Sequence, residues 1–127
     1  MVGVRDGIQA RLDEICDPEP SEPERRLLVR LLTSYVTKTP PAIDRLAEAL
    51  ASGAADEVRD QAHALKGSAT NLGVTVLSEL FGALEDSARA GVLPDPEPTL
   101  ARIRETYRDV EPVCTALAGE LDVTGTD

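Results

Sequence analysis

The sequence predicts an all-α fold: an antiparallel four-helix bundle with an additional short N-terminal helix. Three observations lead there. Apolar residues recur at steps of three and four in segment after segment, the spacing of one helical face. The chain is 42% hydrophobic but only 2% aromatic. Tyr35, Phe81 and Tyr107 are its only Phe, Tyr or Trp residues, so Leu, Ala, Val and Ile fill the core, which suits helix packing better than sheets. The joints between periodic segments are short and marked by Gly or Pro, which folds neighbouring helices back on each other. At 127 residues the chain is the size of one domain, expected over 1–127 with its bundle core at about 21–121.

Each element has its own warrant. Val4, Ile8, Leu12 and Ile15 form one stripe, so a helix is expected over about 4–16, ending before Pro18. Ser21 and Glu24 can form a capping box, with Pro23 tolerated in the first turn. Leu27, Leu28, Leu31, Leu32, Tyr35 and Val36 then make a wide apolar face. Pro40 and Pro41 remove two amide donors, so residues 21–52 are expected as one kinked helix or two nearly in line. Gly53 supplies a left-handed stop. Val58, Ala62, Leu65, Ala69 and Leu72 define a helix over 55–72, ended by Gly73. Leu77, Leu80, Phe81, Leu84 and Ala88 define its partner over 75–90, ended by Gly91. Residues 92–98 read as a proline-rich loop. The last helix is expected from about Thr99 to Leu121, kinked at Pro112, with Leu100, Ile103, Tyr107, Val110, Val113, Leu117 and Leu121 inward. Residues 122–127 read as a frayed tail.

Charge narrows the function. Thirteen Lys and Arg stand against 23 Asp and Glu, a formal net charge of -10. That balance opposes binding to nucleic acid or anionic membrane and favours protein or small-molecule partners. No apolar run approaches a membrane span, and the first residues lack a signal-peptide layout. Cys16 and Cys114 are far apart and form no metal-type pair. A cytoplasmic protein with reduced cysteines, and a monomer, is expected, with a long-range Cys16–Cys114 disulfide as the alternative.

His63 is the only histidine. On a wheel of ~100° per residue it lies about 140° from the apolar stripe of its helix, facing outward. Gly67 is one turn on, on the same face, with Arg59, Lys66 and Thr70 as the other neighbours. A glycine inside an exposed helix costs ~1 kcal/mol relative to alanine. Beside an exposed imidazole it opens room for a bulky partner; close packing is the plainer alternative. A neutral imidazole offers a nucleophilic nitrogen, and Lys66 can pair with phosphoryl oxygens. A hydrolytic triad is not expected, since neither cysteine has a histidine near it in sequence, and a single histidine excludes a histidine metal cluster.

The run Ala62-His63-Ala64-Leu65-Lys66-Gly67-Ser68-Ala69, with Asn71-Leu72-Gly73 after it, resembles the signature of histidine-containing phosphotransfer (HPt) domains. The family pattern is His-x-Leu-Lys-Gly with a further glycine ten residues after the histidine, where Gly73 stands. The likeness continues through Leu77, Leu80, Leu84, Glu85 and Arg89, and the helical layout follows the family from about residue 24 to 118. One departure is Ala54, where many members have a polar helix cap.

The resemblance implies a four-helix bundle with His63 exposed at mid-bundle, phosphorylated on Nε2 and exchanging the phosphoryl group with receiver-domain aspartates. Lys66 would stabilise that group and Gly67 would admit the receiver. Glu85 corresponds to the position that binds Nδ1 and orients the ring. A helical wheel independently sets it on the flank of its helix, about 85° from the apolar centre. Pairing with Arg89 at i+4 is its alternative role. Arg59, Thr70 and Arg89 are candidate receiver contacts. The receiver would bring the acidic pocket and Mg²⁺, so no cofactor and no metal site of this chain's own is expected.

No Walker-type loop or visible ATP-binding domain occurs, so self-phosphorylation is not expected and the protein is only loosely an enzyme. The leading expectation is a phosphorelay carrier that takes a phosphoryl group from one receiver and passes it to another through a small transient interface. The alternatives are a helical adaptor that binds receivers without relaying, and the phosphoryl-accepting domain of a chemotaxis-type histidine kinase.

Overall fold

A computed structural model describes residues 3–122. Among the described residues there are five helices and no strands: α1 (Val4–Ile15), α2 (Glu22–Ser52), α3 (Ala55–Leu72), α4 (Thr75–Arg89) and α5 (Pro96–Leu121). The all-α expectation holds. α3 pairs with α4, and α2 pairs with both α5 and α3. The extra helix α1 touches α3, α4 and α5.

Local chemistry sets the helix ends. At α2 the capping box closes in both directions: Ser21 Oγ accepts from the Glu24 amide at 3.3 Å, and the Ser21 amide donates to Glu24 Oε1 at 2.8 Å. Those bonds hold the Glu24 carboxyl below its ordinary range. Gly53 (φ 71°) and Gly73 (φ 78°) adopt the left-handed conformation that ends α2 and α3. Each is followed by an amide that reaches back five residues, Ala54 to the Ala49 carbonyl at 3.1 Å and Val74 to the Ala69 carbonyl at 2.8 Å. These two tight reversals make α2, α3 and α4 antiparallel neighbours. α3 starts without any side-chain cap on Ala54. Asp56 and Glu57 in its first turn favour the positive end of the helix dipole instead.

Of the expectations about proline, the single long helix over 21–52 holds and the start of the last helix needs correction. α2 runs unbroken for 31 residues through Pro40 and Pro41. Pro40 cannot donate to the Val36 carbonyl four residues back. The Tyr107 hydroxyl of α5 donates to that carbonyl instead, at 3.1 Å. Pro41 orphans the carbonyl of Thr37, an exposed residue open to water. The last helix starts at Pro96, three residues before the expected Thr99. The first helical amides have no internal acceptor, so Pro96 and Pro98 lose nothing there. The loop shrinks accordingly. Of the expected tail at 122–127, only Asp122 lies within the described residues, as the C-cap of α5.

The core follows the predicted stripes. Ile8, Leu32, Leu46, Val58, Leu77, Phe81 and Val110 are fully buried. The stripe of α3 is buried throughout. Leu27 departs from expectation: it is 41% exposed, at the edge of the α2 face. Leu31, Val36 and Leu80 are half-buried. Cys16 and Cys114 are buried and unbonded to each other, and burial raises both thiol pKa values, that of Cys114 to about 11. No described helix is long and apolar enough to cross a membrane.

Candidate functional site

The site grows from the register of α3. Its inward stripe fixes His63 on the opposite side, where the side chain is 69% exposed. The reversal at Gly73 lays α4 alongside, and α4 presents Glu85. That residue is only 3% exposed, although it carries a charge. A buried carboxylate needs partners. His63 Nδ1 lies 2.9 Å from Glu85 Oε2, and Arg89 Nη2 donates to the same oxygen at 2.6 Å. Lys66 Nζ stands 3.8 Å from Oε1.

These contacts determine a protonation pattern. The Arg89 hydrogen bond holds the Glu85 carboxyl below its ordinary range, opposed by burial and reinforced by His63. Glu85 is therefore an acceptor only, and Nδ1 must be the nitrogen that carries the proton. In the neutral ring Nε2 keeps its lone pair, and no described residue hydrogen-bonds to it. The ring is held from behind and is open in front.

The surroundings are uncrowded. A Cβ added at Gly67 would meet nothing within 4 Å. Gly67, His63 and Lys66 line an open depression of about 480 Å³ together with Thr70, Arg11 and Glu14. On the other flank of α3, Ala64 and Ser68 line a second groove of about 280 Å³ against α2.

Not every candidate joins this cluster. Glu85 makes both of its predicted contacts at once, to His63 and to Arg89. Arg59 is drawn to its own helix, 3.1 Å from Asp60 and 3.6 Å from Asp56, and lines no part of the depression. The Thr70 hydroxyl is 2.6 Å from that of Ser78, tying α3 to α4. Sequence reasoning missed three participants. Gly82 leaves room for the Lys66 stem, which would lie 3.6 Å from a Cβ there. Its i−3 spacing from Glu85 was the available signal. Arg11 and Glu14 come from α1, and nothing in their local sequence places them beside His63. Among the described residues no group of three or more His, Cys, Asp or Glu could hold a metal ion.

A helical bundle that offers one buttressed imidazole to solvent, beside a cation and a glycine clearing, has the geometry a histidine-based group carrier requires. Residues 30–112, well over half of the chain, match the model of the Hpt domain. The chain belongs to the Hpt domain family, which implies a phosphotransfer role in phosphorelay and interaction with receiver domains. Neither the curated proteins nor the solved structures searched contain a match to the chain.

Proposed function

We propose that the protein is a phosphoryl carrier in which His63 takes a phosphoryl group from the aspartyl phosphate of one receiver domain and delivers it to the aspartate of another. The lone pair of Nε2 attacks phosphorus, the N–P bond forms, and the P–O bond to the aspartate breaks. The electron pair of that bond leaves on the aspartate carboxylate. The Nδ1 proton stays in place, so the phosphorylated ring carries positive charge against Glu85. The observation that carries this reading is the 2.9 Å contact between Nδ1 and a buried carboxylate, which leaves Nε2 as the nucleophile.

The other roles follow from the same chemistry. Lys66, 46% exposed and only loosely associated with Glu85 at 3.8 Å, is free to swing onto phosphoryl oxygens. Gly67 admits the receiver surface. Glu85 orients the ring, and Arg89 keeps Glu85 ionised. Mg²⁺ and the acidic pocket belong to the receiver. Such a carrier works in the cytoplasm, where receivers reside.

The test is transfer. The protein and a His63→Gln variant are incubated with a panel of phosphorylated receiver domains and Mg²⁺, and acid-labile, alkali-stable label is followed on this chain. Label on the wild type alone is the expected result. No label from any receiver, with the fold intact, refutes the carrier reading in favour of an adaptor or of a kinase-fed domain.

A further inference from the structure

The family match begins at residue 30, so α1 lies wholly before it. Yet α1 is fastened to the site. Ile8 and Leu12 are buried in the common core. The backbones touch where α1 crosses the α3–α4 reversal: a Cβ at Gly7 would come within 2.9 Å of the Gly73 carbonyl oxygen, and one at Gly73 within 2.5 Å of the Gly7 oxygen. Arg11 Nε donates to the Asn71 carbonyl at 2.9 Å, and Arg5 pairs with Glu120 of α5. Docked this way, α1 brings Arg11 and Glu14 into the wall of the depression that holds His63, Lys66 and Gly67. Arg11 is largely spent on Asn71. Glu14 is not: its side chain is 69% exposed, and its one ion pair is a long 3.6 Å contact to Arg11.

We infer that α1 is the receiver-selecting element of this protein, and that Glu14 is the charge by which it discriminates. The inference rests on the carrier reading above. A receiver that brings its aspartate to His63 sets the loops around its own acidic pocket against this wall. An exposed carboxylate there attracts receivers with Lys or Arg on those loops and repels receivers with Asp or Glu. Rim charges of this kind act on encounter rate and partner choice more than on chemistry. Glu14 holds no structural bond of consequence, so its charge is free to act on the partner.

The test compares wild type, Glu14→Gln and Glu14→Lys as acceptors from phosphorylated receivers of two kinds, with basic or acidic loops around the reacting aspartate. Each rate is divided by that variant's own rate of His63 labelling by phosphoramidate, a donor too small to need docking. The expected result is that Glu14→Lys shifts the basic-to-acidic ratio by about tenfold towards acidic receivers, with Glu14→Gln between. The shift should shrink at ~0.5 M salt, where the Debye length falls to a few ångströms. A ratio unchanged within about twofold, with transfer to the wild type intact, overturns this inference alone. No transfer from any receiver to the wild type overturns the carrier reading, and this one with it.

Discussion

Gly67→Ala should make the protein more stable and a worse carrier. Glycine in an exposed helix interior costs about 0.8–1 kcal/mol relative to alanine. At Gly67 a Cβ meets nothing within 4 Å, so the full gain is available without a clash. Unfolding entropy of about 2.1 cal/mol/K per residue gives about 0.27 kcal/mol/K for 127 residues. The melting temperature should therefore rise by about 3 to 4 °C. The same methyl group intrudes where the receiver must press against α3. Overpacking of one methyl group in a close contact costs about 1–3 kcal/mol, or roughly 5- to 150-fold in transfer rate. Gly67→Gln should transfer more slowly still, because its side chain reaches the turn that carries His63. The assays are thermal unfolding by circular dichroism, and transfer from a labelled receiver beside labelling by phosphoramidate. The loss with the receiver should exceed the loss with the small donor. A variant that melts lower than wild type, or takes phosphate from receivers at the wild-type rate, refutes the reasoning.

The remaining predictions use the same structure. Glu85→Ala should slow transfer more than tenfold, since it frees the ring and strands Arg89, while Glu85→Gln, which still accepts from Nδ1, should retain most of the rate; equal losses would contradict the orienting role. Because the folded state lowers the Glu85 pKa, its ionisation stabilises the fold above the carboxyl's ordinary value of 4.5 and that stability is lost as pH falls through the folded value. An acid titration should thus show a shallower decline in Glu85→Gln than in wild type. Tyr107→Phe leaves the Val36 carbonyl without its donor beside Pro40 and should cost about 1–3 kcal/mol by chemical denaturation. Gly73→Ala combines φ 78° with a Cβ 2.5 Å from the Gly7 oxygen; a loss of about 2 kcal/mol or more is expected, read as a melting point lower by about 7 °C.

What the sequence disclosed, and what it withheld, divide along one physical line. Features set within a few residues were readable: the capping box at Ser21 and Glu24, the glycine stops at Gly53 and Gly73, and the buried stripe of α3 with His63 opposite it. Periodicity also found Glu85 on the flank of α4. Features set by contacts distant in sequence were not. Pro40 left one helix or two open, and the donor that serves the carbonyl it orphans comes from residue 107. Thr99 was the natural start of the last helix only under the assumption that prolines mean loop, and the first turn of a helix is where that fails.

The helix α1 is the extreme case of that division. Its own stripe predicts a helix, but its position is set by two glycines 66 residues apart whose backbones touch. Gly73 therefore has two duties. Its positive φ ends α3, which local reasoning found, and its missing side chain seats Gly7, which local reasoning could not find. A residue with two independent reasons to lack a Cβ admits no compromise: a substitution relaxed at one demand still violates the other. The turn that positions α4, and with it Glu85 behind the imidazole, is the same turn that positions α1 at the rim. Orientation of the nucleophile and shape of the docking wall are thus joined at one glycine.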